Sequence, residues 1–145
     1  MEIENVLALW KDKSKIDSTN LLGEIIKTPS LHAEFLEYYL LYKKKHVSSE
    51  MRYNKLAYVK RKYYRGEMTK VELEERSWPQ YQGLKPSGGE LTSLLAMDND
   101  MVELEAVVTT YKNNVSIMEY IMKQIGQRDY SLKTAVDVQR FMAGN

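Results

Sequence analysis

The chain has 145 residues with no cysteine, seven glycines, three prolines, eight methionines and eleven tyrosines, a profile that predicts one helix-rich, all-α domain. Lack of cysteine excludes a disulfide scaffold, a cysteine nucleophile and every thiolate metal site, and the short apolar runs exclude a membrane span. The net charge of +1 hides a block pattern: residues 1–37 carry 4 basic and 7 acidic side chains, residues 38–66 carry 9 and 1, and residues 67–145 carry 8 and 12. The middle block therefore makes a local field that attracts polyanions. The start, Met1-Glu2-Ile3-Glu4, is acidic where a signal peptide is basic, so the chain is expected to stay in the cytoplasm.

In chain order, Ile3, Val6, Leu7 and Trp10 recur at helical spacing and predict a short amphipathic helix. Asp17, Ser18 and Thr19 offer caps for a second short helix carrying Leu21, Leu22, Ile25 and Ile26. Thr28-Pro29 predicts a restart, since Thr caps and Pro at the first helical position gives up only an N–H without a partner. Residues 29–65 then read either as one helix about 55 Å long or as two broken near Ser48-Ser49. Gly66 stops this element, Thr69-x-x-Glu72 is a capping box opening a short acidic helix through Arg76, and residues 77–90 hold most of the turn formers, a loop with room for a small hairpin.

A second capping box is read at Asp100-x-x-Glu103. Around it Leu94, Met97, Met101, Leu104, Val108, Tyr111, Val115, Met118, Met122 and Ile125 alternate spacings of three and four, the pattern of an a/d seam. Gly126 is the expected stop, Asp129 or Ser131 the next cap, and Leu132, Val136 and Phe141 one face of a final helix ending at Gly144. The partner of the seam is either the long helix of the same chain or a neighbouring subunit; Leu132, Val136 and Phe141 have no obvious intrachain partner. Residues 1–66 thus form N-terminal helices with the basic segment at 38–66, residues 67–93 an acidic helix and loop, and residues 94–144 the oligomerisation helices.

Enzyme readings fail one at a time. His32 and His46 are fourteen residues apart and cannot share a zinc ion; His32 is expected to be half-buried and His46 solvated. The Gly83–Gly89 stretch lacks the order of a phosphate loop. Asp98-Asn99-Asp100 lacks the later glycine and glutamate of a calcium loop, and Glu72, Glu74 and Glu75 read as a solvated face. No cofactor or metal is expected.

The basic block is different. Lys43, Lys44, Lys45, Arg52, Lys55, Lys60, Arg61, Lys62 and Arg65 are interleaved with seven of the eleven tyrosines, among them Tyr58, Tyr63 and Tyr64. Phosphates need cations, and unpaired bases stack on flat rings at about 1–3 kcal/mol each without regard to sequence. Tyrosines packed between helices and lysines that merely keep a helix soluble would leave the same composition, yet a solvated helix mixes Glu with Lys and here Glu50 is the only acid. Nucleic acid or another polyanion follows from this.

The sequence resembles the phage UvsY-type recombination mediators, a family of small helical proteins of T-even-like phages. The matching residues are Ile16-Asp17-Ser18-Thr19 with Leu21, Leu31 with Phe35-Leu36, Tyr63-Tyr64-x-Gly66 behind a basic run, Asp98-x-Asp100, and a C-terminal stretch with Arg128, Tyr130, Leu132-Lys133, Asp137, Phe141, Ala143 and Gly144. The resemblance implies a non-enzymatic protein of the host-cell cytoplasm that binds single-stranded DNA. It also implies rings of six or seven subunits formed through the C-terminal region, and loading of a RecA-like recombinase onto strand coated by single-strand-binding protein. The family's DNA-contacting stretch falls on Lys60, Arg61 and Lys62, and where the family has a basic residue two positions earlier this chain has Tyr58. Assembly is expected through Met101, Leu104, Val108, Tyr111, Val115, Met118, Met122, Ile125, Leu132, Val136 and Phe141. A duplex-binding architectural protein and a purely structural helical assembly protein are the alternatives.

Overall fold

Five helices and no strand account for residues 2–144, the part of the chain that the computed structural model describes. They are α1 (Ile3–Lys13), α2 (Leu21–Tyr64), α3 (Lys70–Arg76), α4 (Gly88–Met97) and α5 (Asn99–Met142). Two units divide the chain, Met1–Lys44 with Lys112–Asn145 and Lys45–Tyr111. The divisions fall inside α2 and α5, where the sequence carries no boundary signal.

In the first unit, Leu21, Glu24, Thr28, Leu31, Phe35 and Tyr42 are buried along one face of α2, and this face passes straight through Pro29. The expected restart at Thr28-Pro29 is therefore not made: Pro29 lies inside the helix, and Thr28 donates its hydroxyl to the Glu24 carbonyl at 3.4 Å instead of capping. An interior proline costs about 3 kcal/mol, whereas each buried large apolar side chain contributes about 1.5–3 kcal/mol, so the continuous buried face wins. The helix is capped by Asn20, whose Oδ1 accepts the Gly23 N–H, while Asp17 closes a turn onto Thr19. Neither Ser48 nor Ser49 breaks it; Ser49 is buried and donates its hydroxyl to the His46 carbonyl.

Against this face lie α1, with Trp10 edge-on to Phe35 at 5.4 Å, and the second half of α5. There Asn114, Met118, Ile121, Ile125, Arg128 and Leu132 are buried. The stripe differs from the expected seam: Asn114 and Ile121 take the places given to Val115 and Met122, which are half-buried flanks. A straight helix of 3.6 residues per turn drifts off a 3.5-residue repeat, and Arg128 is admitted to the stripe because it is paired. The Arg128 guanidinium meets Glu24 at 2.5 Å with both side chains 5% exposed. Burial alone would raise the Glu24 carboxyl, but Lys27 first and Arg128 with it hold it below the usual range. Gly126 is no stop, nor Asp129 or Ser131 a cap: α5 runs on to Met142 because Ile125, Arg128 and Leu132 keep one buried face across the glycine. Leu132 accordingly has its intrachain partners, contrary to expectation.

The second unit is built on Ala57, Leu95 and Met101, with Tyr53, Leu56 and Tyr64 packed around them. Gly66, at φ 71°, ends α2 as expected; the Gly66 and Glu67 N–H groups donate to the Tyr63 and Lys62 carbonyls. The Thr69/Glu72 box opens α3. A further box, Ser87 with Glu90, opens α4 within the stretch expected to be loop, and no hairpin forms. The cap of α5 is Asp98, whose Oδ1 accepts the Met101 N–H at 3.1 Å, so the box expected at Asp100 gives way to a simple cap two residues earlier, with Met101 where a box needs Glu or Gln. Asp98 also separates Met97 from Met101, and Met97 is 79% exposed on α4 rather than a member of one seam.

Candidate nucleic-acid interface

A helix turns 100° per residue, so Lys55, Tyr58, Lys62 and Arg65 stand on one face of α2. Lys55, Tyr58 and Arg65 are exposed and Lys62 half-exposed, with Arg52 and Arg61 exposed at the edges of the same face. Glu50 is the only acid in residues 38–66, so the field of this face is positive along Arg52, Lys55, Arg61 and Arg65, while Glu72 of α3 meets Lys62. Lys45 is half-buried with its ammonium 5.7 Å from the centre of the Tyr111 ring. Lys43 and Lys44 are exposed on the part of α2 belonging to the first unit, Lys43 lying 5.7 Å from the Tyr39 ring centre.

The opposite face of α2 takes Lys60 inward. Its ammonium lies 3.0 Å from Asp98 and 2.8 Å from Asp100, and its side chain is 7% exposed. The expectation that Lys60 reaches phosphate with Arg61 and Lys62 is corrected by this geometry: consecutive helix residues diverge by 100°, and only one side of the run faces outward. Tyr64 donates its hydroxyl to Asp98 at 2.7 Å. Burial, followed by that hydrogen bond, pushes the Tyr64 hydroxyl well above its usual value. Burial would raise Asp98 too, but the Tyr64 hydroxyl, the Met101 N–H and the Lys60 ammonium outweigh it and hold the carboxyl low.

Tyr63 and Tyr64 are likewise not free faces. Their rings meet edge-on at 5.2 Å, Tyr63 packs on Trp78 at 5.4 Å, and Tyr64 on Tyr81 at 5.1 Å. The Tyr63 hydroxyl donates to the Pro79 carbonyl at 2.8 Å, and Lys60 sits 4.2 Å from the centre of the Trp78 ring. Lys62 pairs with Glu72 at 2.8 Å, which lowers Glu72 and raises Lys62 through the same bond; Glu72 is therefore not merely solvated. Two further expectations are reversed: His32 is exposed and His46 half-buried.

Sequence reasoning missed Trp78, Tyr81 and Asp98 as the groups that brace this segment. The signal for Asp98 was present, a polar residue between Met97 and Met101 followed by a helix. None existed for Trp78 and Tyr81, whose positions depend on Ser77 turning the chain at φ 57°. Among the described residues no group of histidines and acids is able to hold a metal ion, and no helix is long and apolar enough to cross a membrane.

An all-α chain whose candidate site is a cationic helix face falls in the class of binding proteins rather than catalysts. Residues 9–145 match the family described as "Recombination, repair and ssDNA binding protein UvsY", and the chain belongs to the UvsY family, as the resemblance in its residues implied. Its fold is that of the bacteriophage T4 recombination mediator protein UvsY: one crystal structure superposes with a TM-score of 0.83 at 22% identity, covering 99% of this chain and 98% of that one. A second, in another lattice, gives 0.81 at 18% identity over 97% and 99%. No curated protein matches the sequence.

Proposed function

We propose that the chain is a recombination mediator that binds single-stranded DNA along the outward face of α2 and acts as a homo-oligomer. It loads a RecA-like recombinase onto strand coated by single-strand-binding protein. The observation that carries this reading is the face formed by Arg52, Lys55, Tyr58, Arg61, Lys62 and Arg65, five cations around an exposed ring with Lys62 matched by Glu72. Membership of a family of single-stranded DNA binders supports it. Cations bind phosphate in any nucleic acid, whereas an exposed ring is useful only where base faces are open, which a duplex hides.

Assembly is assigned to α5, but to fewer of the seam residues than the sequence suggested. Met101, Met118, Ile125 and Leu132 already spend their apolar surface inside their own units. Leu104, Val108, Tyr111, Val115, Met122 and Val136 are half-buried. Phe141 is 81% exposed, with Val138 and Met142 exposed beside it, and such a cluster favours burial against another copy. The test is anisotropy of labelled oligo-dT with equal nucleotide concentrations of duplex as competitor, at several salt concentrations. Single strand bound in preference, with affinity falling as salt rises, is the expected result. Equal competition by duplex would favour an architectural role, and no binding at low salt a purely structural one.

A further inference from the structure

We propose that Tyr58 is the ring on which this site stacks a DNA base, with Lys55 on one side and Arg61 on the other taking the adjoining phosphates; this rests on the single-strand reading above. Four tyrosines lie in the part of α2 that carries the site, and three are already engaged. Tyr53 and Tyr64 pack on the core of Ala57, Leu95 and Met101, and Tyr63 is held by Trp78, Tyr81 and the Pro79 carbonyl. Tyr58 is 70% exposed.

Cations flank it along the helix. Lys55 precedes it by three residues, Arg61 and Lys62 follow by three and four, and Arg65 by seven. Along the helix this places cations about 4.5–6 Å to either side of the ring, so one nucleotide seated on Tyr58 has its flanking phosphates within reach of long, flexible side chains. The ring itself has few rotatable bonds and stands on a rigid helix, so little entropy is lost when a base covers it. A ring at this position offers a stacking face rather than a phosphate contact, so its share of the binding is independent of salt and tolerant of sequence.

The experiment compares wild type, Tyr58→Leu, Tyr58→Phe and Tyr58→Lys on oligo-dT and on an abasic strand of equal length, with assembly mass followed by sedimentation. The stacking role predicts that Tyr58→Leu binds oligo-dT about 5- to 150-fold more weakly with an unchanged salt slope, and that Tyr58→Phe restores binding. Wild type should prefer oligo-dT to the abasic strand, and Tyr58→Leu should lose that preference. Tyr58→Lys should steepen the slope of log K against log salt by about 0.7 per site. If wild type binds oligo-dT yet Tyr58→Leu keeps both its affinity and its preference over abasic strand, the stacking role is overturned while the phosphate-binding face stands. A Tyr58→Leu protein whose assembly mass falls would also overturn it, placing the ring between copies. Failure of wild type to bind oligo-dT at all overturns the underlying reading instead.

Discussion

Lys60 shows how one residue's role is decided by which way a helix turns it. In composition it is one cation of nine, but its ammonium closes a network with Asp98, Asp100 and the ring of Trp78, and Asp98 in turn accepts from Tyr64 and caps α5. Lys60→Met should therefore lower stability by about 3 kcal/mol, because Asp98 is left buried without its cation; chemical denaturation measures this. The network also sets an acid limit. Asp98 is held below its ordinary value of 3.8 in the folded chain, so the stability it contributes is fully present above that value and is lost as pH falls through the depressed one. Acid titration of the unfolding free energy should show wild type losing stability below about pH 4, with a shallower loss in Asp98→Asn. Equal slopes would mean that Asp98 is no better stabilised folded than unfolded.

At the scale of elements, the sequence was legible where local chemistry and burial agree and illegible where they conflict. Gly66 and the Thr69/Glu72 box were read correctly because a left-handed turn and two orphan N–H groups are satisfied by neighbours a few residues away. Thr28-Pro29 and Gly126 were misread because the same residues mark a helix end or interrupt an interior, and only partners distant in sequence, Arg128 for Glu24 foremost, decide between the two. The cationic face was legible as a block, but not which of its members turn inward, since that required knowing that Asp98 lies beneath α2. Two substitutions bear on the long helices. A Cβ added at Gly126 would meet nothing within 4 Å, so Gly126→Ala should stabilise by about 0.5–1 kcal/mol. Pro29→Ala should restore an interior hydrogen bond and remove a ring clash, a gain of about 1–3 kcal/mol. A loss of stability in either, seen by thermal melting, would argue that the interruption is needed where it stands.

At the scale of the whole molecule, the proposed function couples two surfaces, the cationic face of α2 and the apolar end of α5. If copies join through Val138, Phe141 and Met142, each strand meets several cationic faces at once, and modest contacts multiply through effective concentration. Replacing Val138, Phe141 and Met142 together by Ser should leave melting nearly unchanged, since all three are exposed, while sedimentation shows a smaller species and oligo-dT binding weakens without one cation of the face being altered. The charge itself is tested separately. Replacing Lys55, Arg61 and Arg65 by Ala removes three exposed cations from one face. On single strands the slope of log K against log salt is about −0.7 per phosphate neutralised, so it should become shallower by roughly two for each subunit engaged. Lys60→Met, buried and paired, should leave that slope untouched in protein that remains folded. A triple variant of intact assembly with a wild-type slope would show that these cations do not meet phosphate, and would move the site along α2 to Lys43, Lys44 and Lys45.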